Sequence, residues 1–120
     1  MPVRAIRGAT TIEKNSVEDI MHETKNLLME IVQANNINKE DIISVIFSTT
    51  KDINAAFPAK AAREIGWTDI PLMCTNEMDV PGSLEKCIRI LMHINSDKSN
   101  SQLKHIYLKE ARKLRPDLIK

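Results

Sequence analysis

A single segment of this sequence carries a sustained helical repeat, and that limits the fold more than any other feature. Val17, Ile20, Met21, Thr24, Leu27, Leu28, Ile31 and Val32 recur at steps of three and four, which puts them on one stripe of a helix. Ser16 stands where an N-cap belongs, and Asp19 where the acid of a capping box belongs. Asn35 and Asn36 tolerate the left-handed conformation that ends helices. The stripe reads as core rather than as a binding face. The rest of the core must come from other elements.

Those elements read as short strands. Val3 to Ile12 alternates imperfectly, with Gly8 marking a bulge or a close approach of backbone. Ile42 to Thr49 is an apolar, β-branched run and reads as a buried strand, and Ile70 to Glu77 reads as a third. Between them, Phe57 to Ile65 predicts a short helix with Pro58 in its first turn, Asp52 or Asn54 as cap and Gly66 as its stop. Val80 to Ser83 is a turn. In Cys87 to Ile94 the alternation is clean: Ile88, Ile90, Met92 and Ile94 share one face, and Cys87, Arg89, Leu91 and His93 the other. A polar loop, 96–102, precedes a last short strand at His105 to Leu108. The fold class is α+β: a mixed sheet with one long and one short helix packed on it.

At 120 residues the expectation is one domain, 1–120, with about 112–120 a loosely held tail. Aromatic residues make up only 3%, so Ile, Leu, Val, Met and Ala must fill the core. A domain this small buries a modest share of its surface, which favours self-association. Net charge is +1, from 17 basic and 16 acidic residues without long single-sign blocks. A nucleic-acid partner would call for a basic face interleaved with aromatics, and none is present. No apolar run approaches the ~18 residues of a membrane span and the first residues hold no apolar signal core, so no membrane partner and a cytoplasmic location are expected. Cys74 and Cys87 form no C-x-x-C, and His22, His93 and His105 are scattered. No metal is expected.

Arg89 is the most informative residue. It sits mid-strand beside Leu91 and Cys87, so its guanidinium needs an anionic or strongly polar partner. Either a ligand or an internal Glu or Asp would serve. Glu77 closes an apolar strand, where sites are often built, although a solvated carboxylate is the plainer reading. Arg7 precedes Gly8, which could let a ligand come close, yet strand arginines are commonly solvated. Lys60 and Arg63 share one helix face, again with solvation as the simple alternative. Cys74 and Met73 read as core. With no phosphate loop, catalytic triad or metal motif, residue patterns alone stop at an α+β domain with well-placed arginines.

Five landmarks, in order, carry a resemblance. They are Arg4-Ala5-Ile6-Arg7-Gly8-Ala9-Thr10-Thr11; Ala56-Phe57-Pro58-Ala59-Lys60-Ala61-Ala62-Arg63; Glu77-Met78-Asp79-Val80-Pro81-Gly82-Ser83-Leu84 with Lys86-Cys87-Ile88-Arg89; His105-Ile106-Tyr107-Leu108; and Leu114-Arg115-Pro116-Asp117-Leu118. Together they resemble the monofunctional, trimeric chorismate mutases. The resemblance implies a homotrimeric pseudo-α/β-barrel with active sites between subunits, and the rearrangement of chorismate to prephenate in aromatic amino-acid biosynthesis, without a cofactor. Two departures are visible: Glu64-Ile65-Gly66-Trp67 is compact, and Met73 stands where a small polar residue is expected.

By resemblance, Arg89 faces the ether oxygen that becomes negative as the carbon–oxygen bond breaks. Glu77 accepts from the ring hydroxyl, and Cys74 lies beside the same hydroxyl. Arg7 and Tyr107 hold a carboxylate. Phe57, Ala59, Lys60 and Arg63 line the cleft, with Met73 a minor contact, and Leu114 and Arg115 close over it. Two other readings stay open: a non-catalytic trimeric domain that binds a small dicarboxylate, and a trimeric imine or enamine hydrolase.

Overall fold

The computed structural model describes residues 1–116. The described residues form five strands and two α-helices, in the order β1 (Val3–Thr11), α1 (Val17–Asn35), β2 (Ile42–Thr49), α2 (Pro58–Glu64), β3 (Leu72–Asn76), β4 (Cys87–Asn95) and β5 (Ile106–Tyr107). Short 3-10 turns occur at Lys39–Asp41, Asn100–Gln102 and Lys109–Lys113. The sheet order is β3-β2-β4-β1-β5. β4 is central and antiparallel to β1 and β2, while β3 and β5 run parallel to β2 and β1. The mixed α+β sheet expected from the sequence is what forms.

The crossovers β1-α1-β2 and β2-α2-β3 step the same way across the sheet. Right-handed crossovers in one direction place their helices on one face, and α1 and α2 indeed pack together. Leu27, Leu28 and Ile31 of α1 and Ala59 and Ala62 of α2 close over Ile6, Val45, Phe47, Ile90, Met92 and Ile94. Both periodicities read from the sequence, the stripe of α1 and the even face of β4, therefore meet in one core.

Local chemistry sets the ends of α1. Ser16 Oγ accepts from the Asp19 N–H at 3.1 Å, and Asn36 caps the helix with φ 51°. The capping box is displaced: Asp19 accepts from the Lys14 N–H rather than returning to Ser16. Asp52 and Asn54 do not cap α2. The N-cap is Phe57, with Pro58 following. Asp52 instead accepts from the backbone N–H of Lys86, and Asn54 pairs with Asn15. Asp52 thus ties the loop after β2 to the start of β4.

Gly8 marks no bulge, because β1 pairs with β4 without a break. A Cβ there would lie 2.7 Å from Ile31 Cδ1, so a glycine is needed where α1 approaches, and its backbone also borders the cavity on the other side. Among the described residues the opposite face of the sheet carries no α-helix, and the 3-10 turn Lys109–Lys113 covers only one end of it. Arg7 and Ala9 of β1, Ile46 and Ser48 of β2, Met73 of β3 and Arg89 and Leu91 of β4 share it through the strand register. Met73 is 62% exposed there, and Leu91 is exposed beside it. After β5 the chain turns back over the end of β1. Ala111 is fully buried against Ala9, Cys87 and Tyr107, with Leu114 packed alongside. The part of the expected tail from 117 onward lies outside the described residues.

Candidate active site

The helix-free face gathers one group of candidates. Arg89 projects from near the start of β4, flanked across the ladder by Ala9 and Ser48. Both neighbours are small, which opens depth around the guanidinium. Glu77 follows β3 by one residue, and its N–H donates to Thr49 O at 2.8 Å. That bond extends the β2–β3 ladder and fixes the carboxylate's starting point. Arg89 Nη1 then donates to Glu77 Oε1 at 3.0 Å. The partner of Arg89 within the chain is thus the other leading candidate.

Arg7, Glu77, Arg89 and Tyr107 line one cavity of about 220 Å³, together with Ile46, Ser48 and Leu91. A smaller adjoining hollow is lined by Glu77, Cys87, Arg89 and Leu114. Two guanidiniums against one carboxylate make this cavity attractive to an anion. Among the described residues Arg7 joins no ion pair. Cys87 packs against this cluster as a buried neutral thiol: burial pushes its pKa up to about 11, with Arg89 partly offsetting the rise. A thiol held there is no nucleophile at neutral pH.

Phe57, Lys60 and Cys74 are elsewhere. They line a cavity of about 530 Å³ between the loop before α2 and the end of β3, shared with Thr49, Thr75 and Asn76. Cys74 pairs with Phe47, which pairs with Ile90, so Cys74 lies on the helix-covered side of the sheet and Arg89 on the other. Within one chain the two cannot touch the same small ligand. Of the remaining candidates, Ala59 is in the core, Arg63 is exposed on α2, and Met73 is exposed on the helix-free face. Arg115 is half-buried beyond Leu114. The sequence reading missed Ser48 and Ile46. Only the β2–β4 register places them beside Arg89, so no local signal could have revealed them.

No helix among the described residues is long and apolar enough to cross a membrane, and no cluster of three or more His, Cys, Asp or Glu could hold a metal. A mixed sheet with an arginine–carboxylate pair in an anion-attracting hollow is suited to holding a small anionic metabolite. The chorismate mutase type I family profile matches residues 3–118. The chain is 46% identical over 119 residues to chorismate mutase AroH of Bacillus subtilis, covering 98% of this chain and 94% of that one. It is 46% identical over 117 residues to chorismate mutase AroH of Thermus thermophilus, covering 97% and 96%. A solved chorismate mutase from Clostridium thermocellum superposes with a TM-score of 0.90 at 55% identity, over 92% of this chain and 98% of that one. The chain belongs to the chorismate mutase type I family.

Proposed function

We propose that this chain rearranges chorismate to prephenate in the cytoplasm, as a homotrimer whose active sites are each completed by two neighbouring chains. The chain is an isomerase, and its family's reaction breaks a carbon–oxygen bond while forming a carbon–carbon bond within one molecule. Such a reaction asks two things of a protein: hold the flexible substrate in its reactive chair, and stabilise charge as the bond breaks.

Arg89 supplies the charge stabilisation. It spends Nη1 on Glu77 in the free chain, and the rest of its fork is directed to the ether oxygen as that atom becomes negative. A fixed donor aimed at developing charge is typically worth about 3–4 kcal/mol. Glu77 accepts from the ring hydroxyl and holds the Arg89 fork in place between turnovers. Arg7 and Tyr107 grip a carboxylate, and Leu114 and Arg115 cover the cleft.

The observation that supports a shared site is the separation of Cys74 from Arg89 by the thickness of the sheet. Phe57, Lys60 and Cys74 form a second half-site that can meet the first only from another copy. Lys60 then supplies a further cation for a dianionic substrate, with Ala59 and Arg63 supporting that wall. Burial of Met73 and Leu91 between subunits accounts for their exposure in one chain.

Mixing tests this directly. Arg89→Ala and Lys60→Ala variants are each expected to lose most turnover of chorismate, followed by its absorbance. Dissociated and reassociated together, they regain a fraction of activity, because mixed trimers hold some intact sites. No recovery, or a monomer by light scattering, would overturn the shared site. No turnover by the parent chain would overturn the reaction and favour a dicarboxylate-binding domain.

A further inference from the structure

His105 stands just before β5, outside the cavity walls, yet its imidazole reaches a residue that lines the cavity. β5 pairs with β1 only at Gly8 and Ala9. At Arg7 the outer edge of β1 has run out of partner strand, and the Arg7 N–H donates instead to His105 Nδ1 at 2.9 Å. An accepting Nδ1 holds no proton, so the neutral ring carries its hydrogen on Nε2. The side chain thus replaces one missing ladder bond at the point where β1 delivers Arg7 to the site.

We propose that His105 is a positioning residue for substrate binding: its neutral imidazole fixes the backbone from which Arg7 grips the substrate carboxylate, and protonation of the ring loosens that grip. The inference rests on the reading of Arg7 as a carboxylate ligand. A proton on Nδ1 would set donor against donor at the Arg7 N–H. The charges facing the ring oppose that proton as well. They are Arg7 on β1 and Arg115 on the C-terminal segment, and together with burial, the larger cause, they hold His105 below its ordinary 6.5. Lys104, the adjacent residue, is exposed, and its backbone is held by the neutral amide of Asn35 at the end of α1.

Two substitutions separate the acceptor from the titration. Asparagine places its Oδ1 where Nδ1 was and cannot titrate; glutamine carries its oxygen one bond further out. The parent enzyme is expected to lose kcat/KM in acid, below the ordinary histidine value of 6.5, mainly through KM. His105→Asn should keep KM within about twofold at neutral pH and lose that limb, whereas His105→Gln should raise KM about fivefold at every pH, as for one lost hydrogen bond. Circular dichroism and thermal melts check that each variant is folded. An unchanged acid limb in His105→Asn, or a parental KM in His105→Gln, would overturn the proposal. Arg7→Ala serves as control: if KM does not rise there, the Arg7 reading itself has failed.

Discussion

Arg89 and Glu77 meet at 3.0 Å over the intervening strand β2, one from near the start of β4 and the other just past the end of β3. The Arg89 side chain keeps 42% of its exposure while Glu77 keeps 23%, so the pair is half-desolvated and open to a ligand on one side. A lysine at position 89 keeps the charge but loses the planar fork. Arg89→Lys is therefore expected to lower kcat by about 10²–10³-fold with a smaller change in KM. A steady-state assay of chorismate loss decides it. A tenfold effect or less would mean charge alone suffices.

Lys109 pairs with Glu23 of α1 at 2.6 Å, and the Glu23 side chain is only 10% exposed. This bridge pins the 3-10 turn that carries Leu114. Lys109→Met strands a largely buried carboxylate and should cost about 1–2 kcal/mol in urea unfolding. Parental stability in the variant would show that water replaces the ammonium without penalty.

Thr10 and Thr24 are fully buried, and among the described residues neither hydroxyl has a hydrogen-bond partner. Replacing one with an isosteric methyl removes an unpaid desolvation. Thr24→Val should raise stability by about 1 kcal/mol. A loss of stability would reveal a partner for that hydroxyl in solution.

Cys87 is 2% exposed, and burial raises its thiol to about 11 from 9.0. As pH climbs through that window the unfolded chain sheds the proton first, and the folded chain retains it. Its contribution is fully present below pH 9 and is lost by pH 11, a decline of about 2–3 kcal/mol relative to Cys87→Ala. Denaturation curves of both proteins at pH 8 and 10.5 measure the difference. In thiol labelling at pH 8, Cys74, which is half-buried, should react and Cys87 should not. Parallel stability curves for the two proteins would place Cys87 in contact with water.

Local signals in the sequence were sufficient wherever a few neighbouring residues settle the conformation. Ser16 and Asn36 bound α1 because capping satisfies backbone groups within a turn, and the alternation of 87–94 sorts core from cavity because a strand turns over every residue. The identity of Arg89, Glu77, Arg7 and Tyr107 as one group came through resemblance, and the sheet brings the four to one cavity. What depends on register and long-range pairing was hidden. Asp52 is an apparent helix cap until Lys86, 34 positions on, is seen to donate to it. Gly8 shows its need for a missing side chain only when α1 is laid across it and Ile31 comes close. Cys74 and Arg89 seem neighbours in function, yet strand parity and pairing put them on opposite faces. Caps and alternation are short-range effects written into adjacent residues, whereas facing, register and the partner of a buried charge arise only when distant strands hydrogen-bond.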